Sequence, residues 1–266
     1  MRRRTWLIIL AIVALVAASP GYGLGSPEPE PTPTPTVPWT RLVDGMGMVY
    51  VWAGEFQMGS DAEGAMEIER PRHRVVLEAF WIHRTAVTNR QYRGCIEAGA
   101  CDGVLADYPY DDLPAVGITW HQAVGNCMWV GGRLPTEAEW EKAARGTDGH
   151  RYPWGDAEPT CDRANFLDCK AGLAPVGSYS EGTSPYGALD MAGNVWEWVE
   201  DQYTESYYEP LPSEDEDDHA IYDWRILRGG CHVSRARDLR SSHRNWARAD
   251  ASSTLHGFRC AFDADR

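Results

Sequence analysis

The stretch GGRLPTEAEWEKAARG, residues 131–146, contains the clearest helix signal in the chain. Thr136 precedes Glu139 by three residues, a spacing at which the two side chains satisfy orphan backbone donors at a helix start. Gly146 follows the apolar and charged run, and glycine commonly ends a helix because it accepts the left-handed backbone conformation. The pattern predicts a helix over residues 136–145.

The same start signal occurs twice upstream, in TNRQ from Thr88 and in TWHQ from Thr119. Glycine follows each segment, at Gly99 and at Gly131. We therefore predict two further helices, over residues 88–98 and 120–130.

Strand signals are short and scattered. Residues 48–59, 73–82 and 257–262 are rich in β-branched and aromatic side chains and are bounded by glycine and proline. Residues 147–225 show little periodicity, and such long loops usually need disulfides or metal ions to order them. The sequence predicts one α+β domain with three modest helices, a few strands and much ordered loop.

The first residues have the features of an export signal. Three arginines, Arg2 to Arg4, precede an apolar run from Trp6 to Ala18. Because about 20 apolar residues are needed to span a bilayer, we predict that residues 1–18 are a signal peptide or an uncleaved N-terminal anchor. The protein is then expected outside the cytoplasm, secreted or tethered to the cell surface.

Residues 19–38 are predicted to be a Pro-rich linker, since SPEPEPTPTPT (26–36) places proline at every second position. Residues 39–266 are predicted to form the single folded domain, with length enough for a substantial core.

The charge balance disfavours whole classes of partner. The formal net charge is -14, and removing residues 1–18 would take away three arginines and no acid. Nucleic acid and anionic lipid require a basic patch, so we expect no nucleic-acid partner and membrane contact only through an N-terminal anchor. The run SEDEDD (213–218) is predicted to be a solvated loop, with a calcium-collecting loop as the alternative.

Several motifs occur together in a characteristic order. They are GGRLPTEAEWEKAARG (131–146), YPWGD (152–156), LDMAGNVWEWVED (189–201), RGG (228–230) and HGFRCAF (256–262). With these motifs the chain resembles formylglycine-generating enzymes and their sulfatase-modifying-factor relatives over about residues 44–263. The resemblance implies a variant of the C-type-lectin fold with little regular secondary structure. Ala86 departs from it, because the family usually has glutamate there.

The resemblance also implies where an oxidase would hold its metal. Family enzymes oxidise a sulfatase cysteine to formylglycine with oxygen and one copper(I), which two cysteines hold four and nine residues after the RGG motif. Those positions are Ser234 and Leu239 here, and neither can bind copper(I), which prefers soft thiolates. We therefore expect no copper and no confident catalytic residue.

Cys231 is the cysteine left over, at a position where the family usually has serine. Three interpretations stay open: a small thiol lining a relict pocket, a metal ligand with His232 or His243, and an intermolecular disulfide.

The other six cysteines are predicted to pair. The resemblance implies a bridge between Cys127 and Cys260, whereas the family's second bridge is lost, with Ala144 and Arg244 near its positions. The short spacings favour Cys95–Cys101 and Cys161–Cys169 in an oxidising compartment. Zinc held by four cysteines is the competing interpretation, disfavoured because no CxxC pair occurs.

Two segments resemble the family's calcium sites. One set is Asp190, Gly193, Val195 and Glu197; the other is Asn165, Phe166, Asp168 and Lys170. Calcium accepts six to eight hard oxygen ligands in irregular geometry, which carbonyl-rich loops can provide. Here calcium would order loops; ordinary turn and surface chemistry is the alternative.

Three functions are compatible with these features. The favoured one is an exported non-oxidase module that binds a peptide, protein or glycan in the family's substrate groove, because fold alone does not carry activity. The second is a formylglycine-generating oxidase, and the third is a structural component cross-linked through Cys231.

Overall fold

The computed structural model describes residues 44–103, 110–203 and 223–264. The predicted signal or anchor, the Pro-rich linker and the acidic run 213–218 lie outside these residues, so they stay predictions. The predicted start of the folded domain, at residue 39, also lies outside them.

The three predicted helices are confirmed almost to the residue. They are α1 (Asn89–Glu97), α2 (Trp120–Trp129) and α3 (Glu137–Arg145). Each begins after a threonine whose side chain accepts from the backbone N–H three residues on, while that later side chain accepts from the threonine N–H. The glycines that follow, Gly99, Gly131 and Gly146, all have positive φ, as expected at helix ends.

Short strands form three small sheets in the described residues. Strands β1 (Met48–Val51), β4 (Phe80–His83) and β9 (Ala261–Asp263) form one antiparallel sheet, and β2 (Gly54–Met58) pairs with β3 (His73–Leu77). The third sheet contains β5 (Trp196–Gln202), β6 (Trp224–Arg228), β7 (Arg244–Arg248) and β8 (His256–Phe258). Its strand order is β7-β6-β5-β8, and β5 and β8 are parallel.

Each predicted strand segment contains two strands instead of one, which corrects the sequence prediction. The break in 257–262 has a clear physical cause. Arg259 lies between β8 and β9, outside the pairing of either strand. Its buried guanidinium donates to the carboxylate of Glu197 and to the backbone carbonyls of His83, Arg84 and Leu189. Strands β5, β6 and β7 were not predicted. Both β6 and β7 have two arginines among their five residues, which leaves an apolar run too short for a strand signal.

Two apolar clusters fill the interior, and both contain side chains from the four-stranded sheet. One contains Trp198, Leu227 and Phe258 with residues of α2. The other contains Trp140 of α3 with Val199 and Ile226. Helix α3 lies deepest, since every one of its residues is buried. No helix in the described ranges is both long and apolar enough to cross a bilayer.

All three predicted disulfides are confirmed. Cys127–Cys260 joins α2 to the segment between β8 and β9, and Cys95–Cys101 and Cys161–Cys169 close small loops. Cys231 is the one free cysteine of the seven in the chain. At the lost family bridge, Ala144 is buried in the core and Arg244 pairs with Glu137.

Candidate functional site

The loop between β6 and β7, residues 229–243, carries every position at which the family would hold copper. Gly229 and Gly230 open it with φ of 95° and 79°, a region that favours glycine. A Cβ at Gly230 would lie 2.7 Å from the side chain of Leu239. The two glycines therefore let the loop fold tightly back on itself.

Arg228 fixes the return of this loop. Its guanidinium is fully buried and donates to the carbonyl oxygens of Ser241, Ser242 and His243 at 2.6–3.0 Å. Those carbonyls would otherwise be buried without donors, which is costly. The end of this loop (residues 229–243, the Cys231 loop) is thus bound to the side chain of the residue that precedes its start.

Two glutamates of α3 balance the charge of Arg228. Glu137 and Glu141, both buried, lie in salt-bridge contact with it. Glu137 also accepts from Arg244 and Glu141 accepts from Arg145. Sequence reasoning missed this network, although the RGG motif contains its central residue.

Cys231 is enclosed by the loop. Its side chain is buried in the same cluster as Trp196, with 1% exposure. Its Sγ lies 3.4 Å from the Oγ of Ser234, and its backbone N–H donates to that Oγ at 3.0 Å. The serine at one lost copper position therefore contacts the cysteine at the family's serine position.

Leu239, at the other lost copper position, is fully buried. It packs in an apolar cluster with Tyr152, Ala164 and Phe166. Cys231 is consequently the only free sulfur that the loop offers. The donor set does not fit copper(I) held by two thiolates, because the second soft ligand is absent from the sequence.

The two neighbouring histidines are placed differently. His232 is half-buried and burial lowers its pKa. His243 stacks at a tilt on Trp196, with its Nδ1 3.6 Å from a Glu69 carboxylate oxygen. Across the described ranges, no three His, Cys, Asp or Glu side chains converge as a metal site.

Glu69 is a second anchor that no sequence signal indicated. Its buried carboxylate accepts from the Oγ of Ser242 at 2.6 Å, from Nε and Nη2 of Arg240, and from the backbone N–H of Met66 at 3.1 Å. These bonds, with His243 beside them, hold the pKa of Glu69 well below its usual range although burial opposes this. Glu69 thereby joins the 60–69 segment to the end of the Cys231 loop.

A cleft of about 790 Å³ opens where these segments meet. Its walls are the 60–65 segment, the 149–158 loop and the far end of the Cys231 loop. The charged lining residues are Glu63, Arg145, Arg151, Asp156, Glu158, Arg237 and Arg240. Clefts of this size are typical of ligand sites, and the mixed charges suit a polar ligand.

The predicted calcium residues Asn165, Phe166, Asp168 and Lys170 differ in burial. Asn165 is fully buried, and its Oδ1 has no hydrogen-bond partner. Phe166 is buried beside it, whereas Asp168 and Lys170 are exposed. The Cys161–Cys169 disulfide closes this loop. A buried oxygen without a donor fits a cation, so Asn165 is compatible with its predicted role.

The predicted calcium set Asp190, Gly193, Val195 and Glu197 fits a cation only in part. Asp190 is buried with one unpartnered oxygen, and burial raises the pKa of its carboxyl to about 6. Glu197 is different, because both of its oxygens accept from Arg259 at 2.6–2.7 Å and one also accepts from Trp140. Asp190, with the carbonyls of Gly193 and Val195, could hold a cation, but Glu197 already has a cationic partner.

Comparisons with known proteins agree on one family. The family described as "Sulfatase-modifying factor enzyme 1-like domain" matches residues 35–264. A protein named "Formylglycine-generating enzyme" from Streptomyces coelicolor is 34% identical over 285 residues, covering 82% of this chain and 90% of that protein.

Proteins with other names match as well. "Serine/threonine-protein kinase pkn1" of Chlamydia pneumoniae is 39% identical over 241 residues, 80% of this chain, but this chain spans only 37% of that protein. Among solved structures, "PvdO from Pseudomonas aeruginosa" superposes with a TM-score of 0.69 at 26% identity, covering 83% of this chain and 95% of that chain.

Glu69 generates a pH-dependent prediction. Because its folded pKa is lowered, its ionised form contributes stability that is present above the unfolded pKa near 4.5 and is lost as pH falls below it. Glu69→Gln should therefore be clearly less stable than the wild type at pH 7, and the gap should narrow between pH 5 and pH 3. Urea unfolding at each pH measures it; a gap that stays constant would contradict the assignment.

Proposed function

The chain belongs to the sulfatase-modifying factor enzyme 1-like family, and we propose on that premise that it is an exported, non-oxidase recognition module. Its ligand is a peptide, protein or glycan bound in the cleft beside the Cys231 loop. One observation carries the proposal: six of the seven cysteines form disulfides. The remaining thiol has serine and leucine where the oxidases would place copper ligands.

The disulfides support the location. Three bridges in one domain indicate an oxidising, extracytoplasmic environment. Secretion, or tethering through residues 1–18, extends this proposal to the part of the chain outside the described residues.

The cleft supports recognition of a polar ligand. Arg237 and Glu63 are exposed on its rim, and Tyr152 contributes a buried aromatic ring. Its inner wall is firmly held, since Arg240 and Arg145 are bound to Glu69 and Glu141. A preorganised wall with exposed charges of both signs lowers the ordering cost of binding.

The two alternatives are less well supported. An oxidase would need a second thiolate that the loop lacks. Cross-linking through Cys231 would need its sulfur to reach another chain, but the side chain is 1% exposed. Either alternative therefore requires the loop to open or to be rebuilt.

Restoring the missing sulfurs tests the oxidase question directly. The Ser234→Cys, Leu239→Cys double variant should bind about one equivalent of copper(I) against a chelating competitor, whereas the wild type should bind none, because two-thiolate coordination is what copper(I) requires here. Leu239→Cys alone is the matched control, because Ser234→Cys alone would already place a second thiol beside Cys231. Wild-type protein supplied with copper(I), oxygen and a Cys-x-Pro-x-Arg peptide should form no aldehyde; stoichiometric copper binding with aldehyde formation would overturn the proposal.

Blocking the cleft tests recognition. Peptides selected from a random displayed library on the wild-type protein should lose at least tenfold in affinity for Ala62→Trp, because that exposed side chain lines the cleft and a ring there fills it. Val76→Trp, a change at an exposed β3 position outside the cleft, should leave binding unchanged. Selected peptides that bind Ala62→Trp as tightly as the wild type would place recognition elsewhere.

Calcium belongs to the proposal as a structural ion. Asn165 with the carbonyl of Phe166 would hold one ion, and Asp190 with the carbonyls of Gly193 and Val195 would hold another; each site would use a buried unpartnered side-chain oxygen. Bound calcium would satisfy those oxygens and order the loops around residues 165 and 190. Its absence would leave two buried acceptors without a partner.

Removing calcium should lower thermal stability. At a calcium concentration of about 100 Kd, binding to the native state adds about 2.7 kcal/mol, which is roughly 5–10 °C in Tm for a domain of this size. A chelator should abolish that increment, and Asn165→Ala should reduce it, while Asp162→Ala, an exposed change in the same loop, should not. A melting temperature that a chelator leaves unchanged would remove calcium from the proposal.

A further inference from the structure

We infer that Asn194 couples the calcium loop at Asn165 to the loop that carries Cys231, so that calcium binding holds the Cys231 loop closed. The inference rests on the calcium part of the proposed function. Asn194 lies between Gly193 and Val195, has φ of 65° and is 2% exposed. Its backbone and side chain contact both loops.

The contact with the calcium loop fixes the orientation of one amide. The Nδ2 of Asn165 donates to the carbonyl of Gly172 at 2.9 Å and to Oδ1 of Asn194 at 3.2 Å. Both partners are acceptors only, so the nitrogen must lie on that side. Oδ1 of Asn165 is then the oxygen that stays buried without a donor. Asn194 thus fixes the orientation of this oxygen, which is the one that would bind the proposed cation.

The same side chain closes the calcium loop. Oδ1 of Asn194 accepts from the N–H of Ala174 at 2.9 Å, and its Nδ2 donates to the carbonyl of Ala174 at 3.0 Å. The backbone N–H of Asn194 also donates to the carbonyl of Asn165 at 2.8 Å. Residues 165 and 174, the two ends of the loop, are therefore bound to a single residue.

Two backbone hydrogen bonds continue to the Cys231 loop. The N–H of His232 donates to the carbonyl of Asn194 at 3.0 Å. The N–H of Leu167, within the calcium loop, donates to the carbonyl of Ser234 at 3.0 Å. These bonds are made one and three residues after Cys231, so opening its loop requires breaking contacts with residues that a cation on Asn165 would hold in place.

This arrangement couples two events by linkage. A ligand that binds only the closed arrangement lowers the population of the open one, and the coupling is reciprocal. Cys231 is a natural reporter, because its thiol is the one free thiol in the chain and is 1% exposed when the loop is closed. Its reaction with a thiol reagent therefore measures how often the loop opens.

The experiment measures the labelling rate of Cys231 by an aromatic disulfide reagent in the full folded protein, with calcium alone as the probe and magnesium as the control ion. Calcium should slow labelling by about fivefold or more, the lower end of typical coupling. In Asn194→Gly, which accepts the positive φ but lacks the amide, calcium should change the rate by less than twofold. Asn126→Ala removes another buried asparagine amide, which contacts Cys101, and should keep the full effect.

Calcium binding is measured in the same samples by titration calorimetry, which separates the two claims. Calcium that binds the wild type but leaves the labelling rate unchanged would overturn the coupling and leave the calcium proposal standing. No binding in the wild type would overturn both. The wild-type comparison decides the coupling by itself if Asn194→Gly does not fold.

Discussion

The contact of buried Arg228 with three consecutive loop carbonyls is the constraint on which the site depends. A loop that returns through the interior must find donors for its carbonyls, and Arg228 supplies them at Ser241, Ser242 and His243. Its charge is tolerable only because Glu137 and Glu141 of α3 accompany it, since an uncompensated buried charge costs about 3–5 kcal/mol. The loop, β6, β7 and α3 are consequently held together by one buried network of charges.

A second buried arginine performs a similar task nearby. Arg259 binds both oxygens of Glu197 and the carbonyls of His83, Arg84 and Leu189. Although the formal net charge of the chain is -14, these two buried arginines hold backbone carbonyls in place in the interior. Within the described residues, neither arginine is hydrogen-bonded to the two positions at which the family's oxidases hold copper. Leu239 at one of their positions packs into an apolar cluster, and the Oγ of Ser234 at the other accepts from the backbone N–H of Cys231.

The sequence predicted features set by local chemistry and missed those set by long-range charge. Threonine capping boxes and terminal glycines located α1, α2 and α3 because both signals act within four residues. The disulfides at Cys95 and Cys161 followed from short spacing, and the one at Cys127 followed from family resemblance. Strands β6 and β7 could not be predicted because each has two arginines among its five residues, which leaves an apolar run too short for a strand signal. Glu69 had no signal, since its partners Arg240 and Ser242 lie about 170 residues away. Glu197 was predicted to bind a metal ion, which stays a prediction, and no sequence signal indicated that the distant Arg259 donates to both of its oxygens.

The central claim is that this member of the family retains the scaffold and has Ser234 and Leu239 where an oxidase holds copper with two cysteines. The most direct measurement is a thiol count in denaturant together with elemental analysis of the native protein, isolated without reductant or chelator. The account predicts one thiol per chain, from Cys231, and no copper. Two or more thiols, or copper close to one equivalent per chain, would contradict it.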